Sequence, residues 1–233
     1  MEKRAALNLF EKFGAKPSRS EERGLALLHA TDTVIFSPGI STAGFAEIRM
    51  VQDHPNRRVV ATTIDKKGLD FAQDVIAQMD FSNQIETRLE DLRAIDYSSE
   101  TFDFIYARLV LHYLSFQDVT AVLENLNKSL KPGGKIFTVV RSDKNVDKND
   151  HNIHYDPETR LTTIQHFGKD GKPEQASTRY FHTPESITKH LTTAGFAINT
   201  TEEYQERLYK DFMRKEISPV EDHVIEVVAS KPS

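Results

Sequence analysis

The chain has 233 residues, a formal net charge of -5 and a sequence pI of about 6.0. That length suits one domain with at most a modest insertion, and the mixing of acids and bases argues against a surface built for nucleic-acid phosphates. Cysteine is absent, which removes disulfides, thiolate metal sites and a cysteine nucleophile. No apolar run approaches the ~20 residues that cross a bilayer, and Met1-Glu2-Lys3-Arg4 leads into no apolar signal core, so the expectation is a cytoplasmic protein without a membrane partner.

Residues 2–13 read as a helix stopped by Gly14. A second helix starts after Ser18 or Ser20 as N-cap, with Glu21 and Glu22 in its first turn and Leu25, Leu27 and Leu28 on its apolar side. Residues 1–30 are therefore expected to form a helical layer, in the sharper reading a lid over a binding site. The organising unit follows. Thr33 to Phe36 is a strand, residues 37–44 a turn of small residues, residues 45–52 a helix, and Arg58 to Ile64 a second strand closed by Asp65. Continuous β-branched runs of this kind suit strands covered on both faces, and strand–helix–strand at this spacing is a βαβ unit. Small residues let a ligand approach the backbone, the turn opens on a helix N-terminus, and a carboxylate at the tip of the second strand can accept from both hydroxyls of a ribose. Gly39-x-Ser41-x-x-Gly44 with Asp65 fits a dinucleotide fingerprint with one glycine replaced, and equally an S-adenosylmethionine loop.

Further along, residues 67–79 form an amphipathic helix and Ile85 to Leu89 a short strand ending at Glu90-Asp91-Leu92. Residues 102–107 are a fourth strand and residues 117–130 a helix closed by Lys131-Pro132-Gly133-Gly134, with glycine past its end. Residues 135–140 are the fifth strand. Residues 141–182 turn polar, and Asp170-Gly171 signals a hairpin, so residues 151–167 and 174–181 are expected to pair as an inserted flap. Thr183-Pro184-Glu185 starts a helix stopped by Gly195. Two last strands, within residues 196–209 and 223–230, have no helix between them and must be antiparallel. The fold class expected is α/β, a doubly wound, mostly parallel seven-stranded sheet with an antiparallel last pair, filling residues 31–233.

Phe102-Asp103-Phe104-Ile105-Tyr106-Ala107-Arg108 with Leu109 to Leu114, Leu130-Lys131-Pro132-Gly133-Gly134-Lys135, Asp91 to Tyr97, and Tyr180 to Phe196 occur in the order of one family's motifs. The chain resembles, over about residues 30–233, the class I S-adenosylmethionine-dependent methyltransferases of small-molecule type. The first loop departs from the family pattern. Ser37 stands where the family keeps an acid that pairs with the methionine ammonium, and Ser41 and Ala43 stand at glycine positions, so their side chains are expected to narrow the approach. The resemblance implies S-adenosyl-L-methionine as cofactor and a small-molecule methyl acceptor, with nucleic acid not expected. It implies that Ser37, Pro38, Gly39 and Ser41 line the methionine and ribose side, and that Asp65 and Lys66 lie at the ribose. It further implies that Asp91 and Leu92 meet the adenine, and that Ala107 and Arg108 flank the methionine part. The altered loop leaves an alternative open, a non-catalytic module that kept the fold.

His112 is one helical turn past Arg108 and is the obvious candidate base, with a packing histidine as its plainer reading. His151, His154, His166 and His182 read as a histidine-bearing flap and not as a metal site, since no carboxylate has fixed spacing to them. Lys210, Arg214 and Lys215 form a basic cluster, read as a solvated face.

Overall fold

The structure, a computed structural model, describes residues 17–97, 99–146, 151–168, 170–209 and 216–233. The helix expected over residues 2–13 and the cluster Lys210, Arg214 and Lys215 lie outside them. Strands β1 (Val34–Pro38), β2 (Arg58–Thr63), β3 (Ile85–Leu89), β4 (Phe102–Arg108), β5 (Leu130–Arg141), β9 (Ala197–Glu206) and β10 (Asp222–Ser230) form one sheet in the order β3-β2-β1-β4-β5-β10-β9. The first five are parallel, and β10 runs against both neighbours. A connection without a helix can only return antiparallel, which is why the pair β9–β10 closes the sheet in this way.

Helices α1 (Arg19–Ala26), α2 (Phe45–Val51) and α3 (Lys66–Gln78) cover one face, and α4 (Phe116–Ser129) and α5 (Pro184–Thr193) the other. The central strands show why. Ile35 faces the first layer and Phe36 the second, and both are wholly buried, as are Ile105, Phe137 and Val139. Strands buried on both faces need apolar residues at every position, the pattern read from the sequence. Caps fall where polar side chains can reach free N–H groups: Ser18 accepts from Glu21 N, Ser115 from Asp118 N and Thr183 from Ser186 N.

Two features differ from the sequence reading. The fifth strand, β5, begins at Leu130, directly after α4, so Pro132-Gly133-Gly134 is an irregular stretch within the strand and not a helix stop. The register between β4 and β5 shifts there, between Phe102 and Phe104. The flap is a three-stranded antiparallel sheet, β6 (Ile153–Tyr155), β7 (Thr162–Ile164) and β8 (Ser177–Arg179). Strands β7 and β8 pair across Asp170-Gly171 as expected, but residues 151–167 also fold back on themselves through the turn at Asp156–Leu161. No helix among the described residues is long and apolar enough to cross a membrane.

Gly24 sets how closely α1 approaches the sheet. A Cβ there would sit 2.5 Å from the Phe137 ring and 2.6 Å from the Tyr106 ring, and those two rings are themselves stacked. Gly24→Ala gains about 1 kcal/mol of helix propensity but overpacks this contact, so a net loss of about 1–2 kcal/mol is expected in urea unfolding. An unchanged midpoint would mean that α1 does not rest on these rings.

Candidate functional site

The carboxyl ends of β1, β2 and β4 surround a cavity of about 490 Å³, within the range of small-molecule and cofactor sites. Four separate stretches reach it: Gly39 to Ser41 after β1, Thr62 to Asp65 at the end of β2, Glu90 to Arg93 after β3, and Arg108 to Val110 after β4. The parallel register brings them together, since Ser37 pairs with Ala61 and Pro38 with Thr62, and Ile40 N donates to Thr62 O at 2.7 Å. Gly39 takes φ +76, a left-handed conformation that glycine adopts without penalty. Ala43 takes φ 58 and Gly44 φ 70, a double left-handed turn that starts α2.

Of the residues expected at the site, Gly39, Ser41, Asp65, Asp91, Leu92 and Arg108 line the cavity. Ser37, Pro38 and Ala107 are buried behind its wall. Lys66 turns outward and pairs with Asp70. The Ala43 methyl does not narrow the cavity: it is 2 % exposed and packs in the core under the loop, because its left-handed φ turns the side chain inward. Sequence reasoning missed Thr62. Thr62 Oγ1 is buried at the cavity wall with no hydrogen-bond partner among the described residues, the kind of orphan that a ligand or water satisfies. Exposed Ile64 and Tyr113, 71 % and 57 % exposed, frame the mouth with apolar surface.

Each acidic tip also does local work. Asp65 accepts from Lys67 N at 3.0 Å as the N-cap of α3, through one carboxylate oxygen. Asp91 accepts from the Arg93 side chain and from Arg93 N at 2.9 Å. These bonds, side chain first and backbone second, hold its carboxyl below the usual carboxylate range.

Arg108 is the hub between the cavity and α1. Its Nε donates to Ser20 Oγ at 2.6 Å and its guanidinium to Ser18 Oγ at 2.6 Å, with Glu206 Oε1 at 3.5 Å. Ser20 in turn donates to Glu206 through Oγ (2.6 Å) and N (3.0 Å). Burial disfavours the charge on Arg108, but the fields of Tyr106, Glu206 and Glu21 outweigh it and its pKa is raised. Beside this hub lies a smaller cavity of about 220 Å³ that shares Arg108, Leu109 and Tyr113 with the first and adds His112 and Arg141. His112 is 1 % exposed, and its Nδ1 has no partner among the described residues. Burial first, then the charges of Arg141 and Arg179, push its pKa well below the ordinary histidine value.

Residues 38–138 match the model of a family described as a methyltransferase domain. No curated protein matches the sequence. Among solved structures, the CcbJ methyltransferase of Streptomyces caelestis is 14 % identical with a TM-score of 0.69, over 95 % of this chain and 92 % of that one. A S-adenosylmethionine-dependent methyltransferase of Methanosarcina mazei is 14 % identical with a TM-score of 0.64, over 89 % and 95 %. The Burkholderia thailandensis 1,6-didemethyltoxoflavin-N1-methyltransferase, with S-adenosylhomocysteine and 1,6-didemethyltoxoflavin bound, is 16 % identical with a TM-score of 0.59, over 92 % and 79 %. Residues 38–138 thus match a methyltransferase domain, and the chain shares the fold of these solved methyltransferases.

Proposed function

We propose that the chain transfers a methyl group from S-adenosylmethionine to a small molecule. The observation that carries this is the convergence of Gly39, Ser41, Asp65, Asp91, Leu92 and Arg108, drawn from four separate loops, on one cavity at the carboxyl edge of the sheet. The buried Thr62 hydroxyl, without a partner among the described residues, and the apolar rim at Ile64 and Tyr113 fit a ligand with a polar sugar and a flat base.

When bound, the cofactor supplies a methyl group on a positively charged sulfur, from which a nucleophile takes it. The protein's part is to bind and orient. Asp65 keeps one oxygen on Lys67 N and offers the other to the ribose. Asp91, tied to Arg93, fixes the Asp91-Leu92 edge for the adenine. Arg108 and α1 close the methionine side as a fixed wall. The acceptor takes the adjoining cavity, past Tyr113. Positioning of the two reactants supplies up to ~7–11 kcal/mol of barrier lowering. His112 acts there as a neutral wall and not as a base, because a proton on it would sit in a buried site facing Arg141 and Arg179.

Calorimetric titration with S-adenosylmethionine, S-adenosylhomocysteine and NAD tests the cofactor. Binding of the two adenosyl ligands and not of NAD is expected, and Asp65→Ala should weaken it about 10–100-fold. Because Asp65 also caps α3, Asp65→Asn is the companion variant: it keeps an N-cap side chain while removing the charge. Equal affinity in all three proteins would overturn the placement of the ribose.

A further inference from the structure

We propose that Glu47, ten residues beyond the loop position that lacks an acid, supplies the site's negative charge and delivers it to the cavity through Ser41. The inference rests on the cavity's being the cofactor site and deepens that reading. Glu47 has no exposed surface. Its Oε1 accepts from Ser37 Oγ at 2.6 Å and from Ser41 N at 3.1 Å, and its Oε2 accepts from Ser41 Oγ. Ser41 Oγ also accepts from Ala46 N at 2.9 Å. Among the described residues no Lys, Arg or His side chain forms an ion pair with this carboxylate. A buried carboxylate without a countercharge is costly. Here it stands one hydroxyl behind the wall of a cavity, and that arrangement asks for a cation on the other side.

The geometry shows how the charge is passed on. With the Ser41 hydroxyl proton committed to Glu47, and one lone pair committed to Ala46 N, the remaining lone pair of Ser41 Oγ is fixed as an acceptor and polarised by the carboxylate behind it. Ser41 lines the cavity; Glu47 and Ser37 do not. Serine at position 37 is small enough to leave room for the Glu47 carboxylate and donates to it. The double left-handed turn at Ala43 and Gly44 brings α2 round so that Glu47 points back at both serines. The chemical class this arrangement recognises is a primary ammonium, which the amino-acid end of the cofactor carries. Glu47 is a positioning residue and acts through Ser41.

Two ligands separate this role from simple support of the loop. S-adenosylhomocysteine carries the ammonium, and 5′-methylthioadenosine has the same nucleoside without the amino-acid part. In calorimetry, Glu47→Gln should weaken S-adenosylhomocysteine about tenfold or more and leave 5′-methylthioadenosine within about twofold. Ser41→Ala cuts the relay with Glu47 and Ser37 intact and should show the same selective loss. The double variant Ser37→Asp with Glu47→Gln should regain part of the lost affinity. Equal loss of both ligands in both single variants would mean that the loop is merely loosened, and no loss of either would remove Glu47 from binding altogether. Wild-type protein that binds neither ligand would overturn the cofactor reading itself, and this inference with it.

Discussion

Replacing Arg108 by methionine is expected to destabilise the protein by about 3–5 kcal/mol, the cost of leaving a buried charge without its partner. Glu206 is 5 % exposed and holds Ser20 through both oxygens, with Arg108 as the cation beside it. Removing the guanidinium leaves this carboxylate in the interior and takes hydrogen bonds from Ser18 and Ser20, the residues that start α1. At about 2–4 °C per kcal/mol for a chain of this size, the thermal midpoint should fall by roughly 6–20 °C. The second limb of the experiment is Arg108→Met with Glu206→Gln. It removes both charges, so it should recover a large part of the loss even though one further hydrogen-bonding group is changed. A single variant with a wild-type midpoint, or a double variant no better than the single, would show that this pair is not what holds α1 to the sheet.

The position of Arg108 was legible in the sequence, and its partners were not. A strand ending in Ala107-Arg108 places a side chain at the carboxyl edge of a parallel sheet, and β4 ends at Arg108. Ser18, Ser20 and Glu206 lie 88 to 98 residues away, and no local period or spacing connects them. The same division runs through the site. Gly39, Asp65 and Asp91 could be read because each follows the end of a strand, and a parallel sheet brings such ends to one edge. Glu47 could not be read as part of the loop, because between Ala46 and Ile48 it looks like one polar position of a short helix. Only the left-handed pair Ala43 and Gly44 turns it inward. The altered loop therefore looked poorer in charge than it is, and Ala43, which looked like an obstruction, packs into the core. Boundaries failed where backbone geometry overrode composition: Pro132-Gly133-Gly134 has the chemistry of a helix stop and is carried within β5.

Acid should unfold the protein early, because three histidines are buried uncharged. Burial first, and then His190, holds the His182 pKa down to about 3. Burial, with Arg160 and Lys189, holds His190 at about 4, and His112 is pushed down as well. His182 Nε2 has no partner among the described residues and the ring lies 4.0 Å from the Tyr180 ring. His190 shares Nδ1 with Thr120 Oγ1 at 2.7 Å. All these pKa values lie below the unfolded value near 6.5, so between pH 6.5 and about 4 the unfolded chain binds protons that the folded chain refuses. Stability is then complete above pH 6.5 and falls with pH through that window, by about 1.4 kcal/mol per pH unit for each histidine, or roughly 2.7 for His182 and His190 together. Urea unfolding at pH 7 and pH 5 measures this directly, and a difference of several kcal/mol is expected. His182→Phe keeps a ring against Tyr180 and removes one proton site, so its pH slope should be shallower by about one proton even if its stability at pH 7 is also changed. A wild-type difference under about 1 kcal/mol between the two pH values, or an unchanged slope in the variant, would mean that these rings accept protons in place.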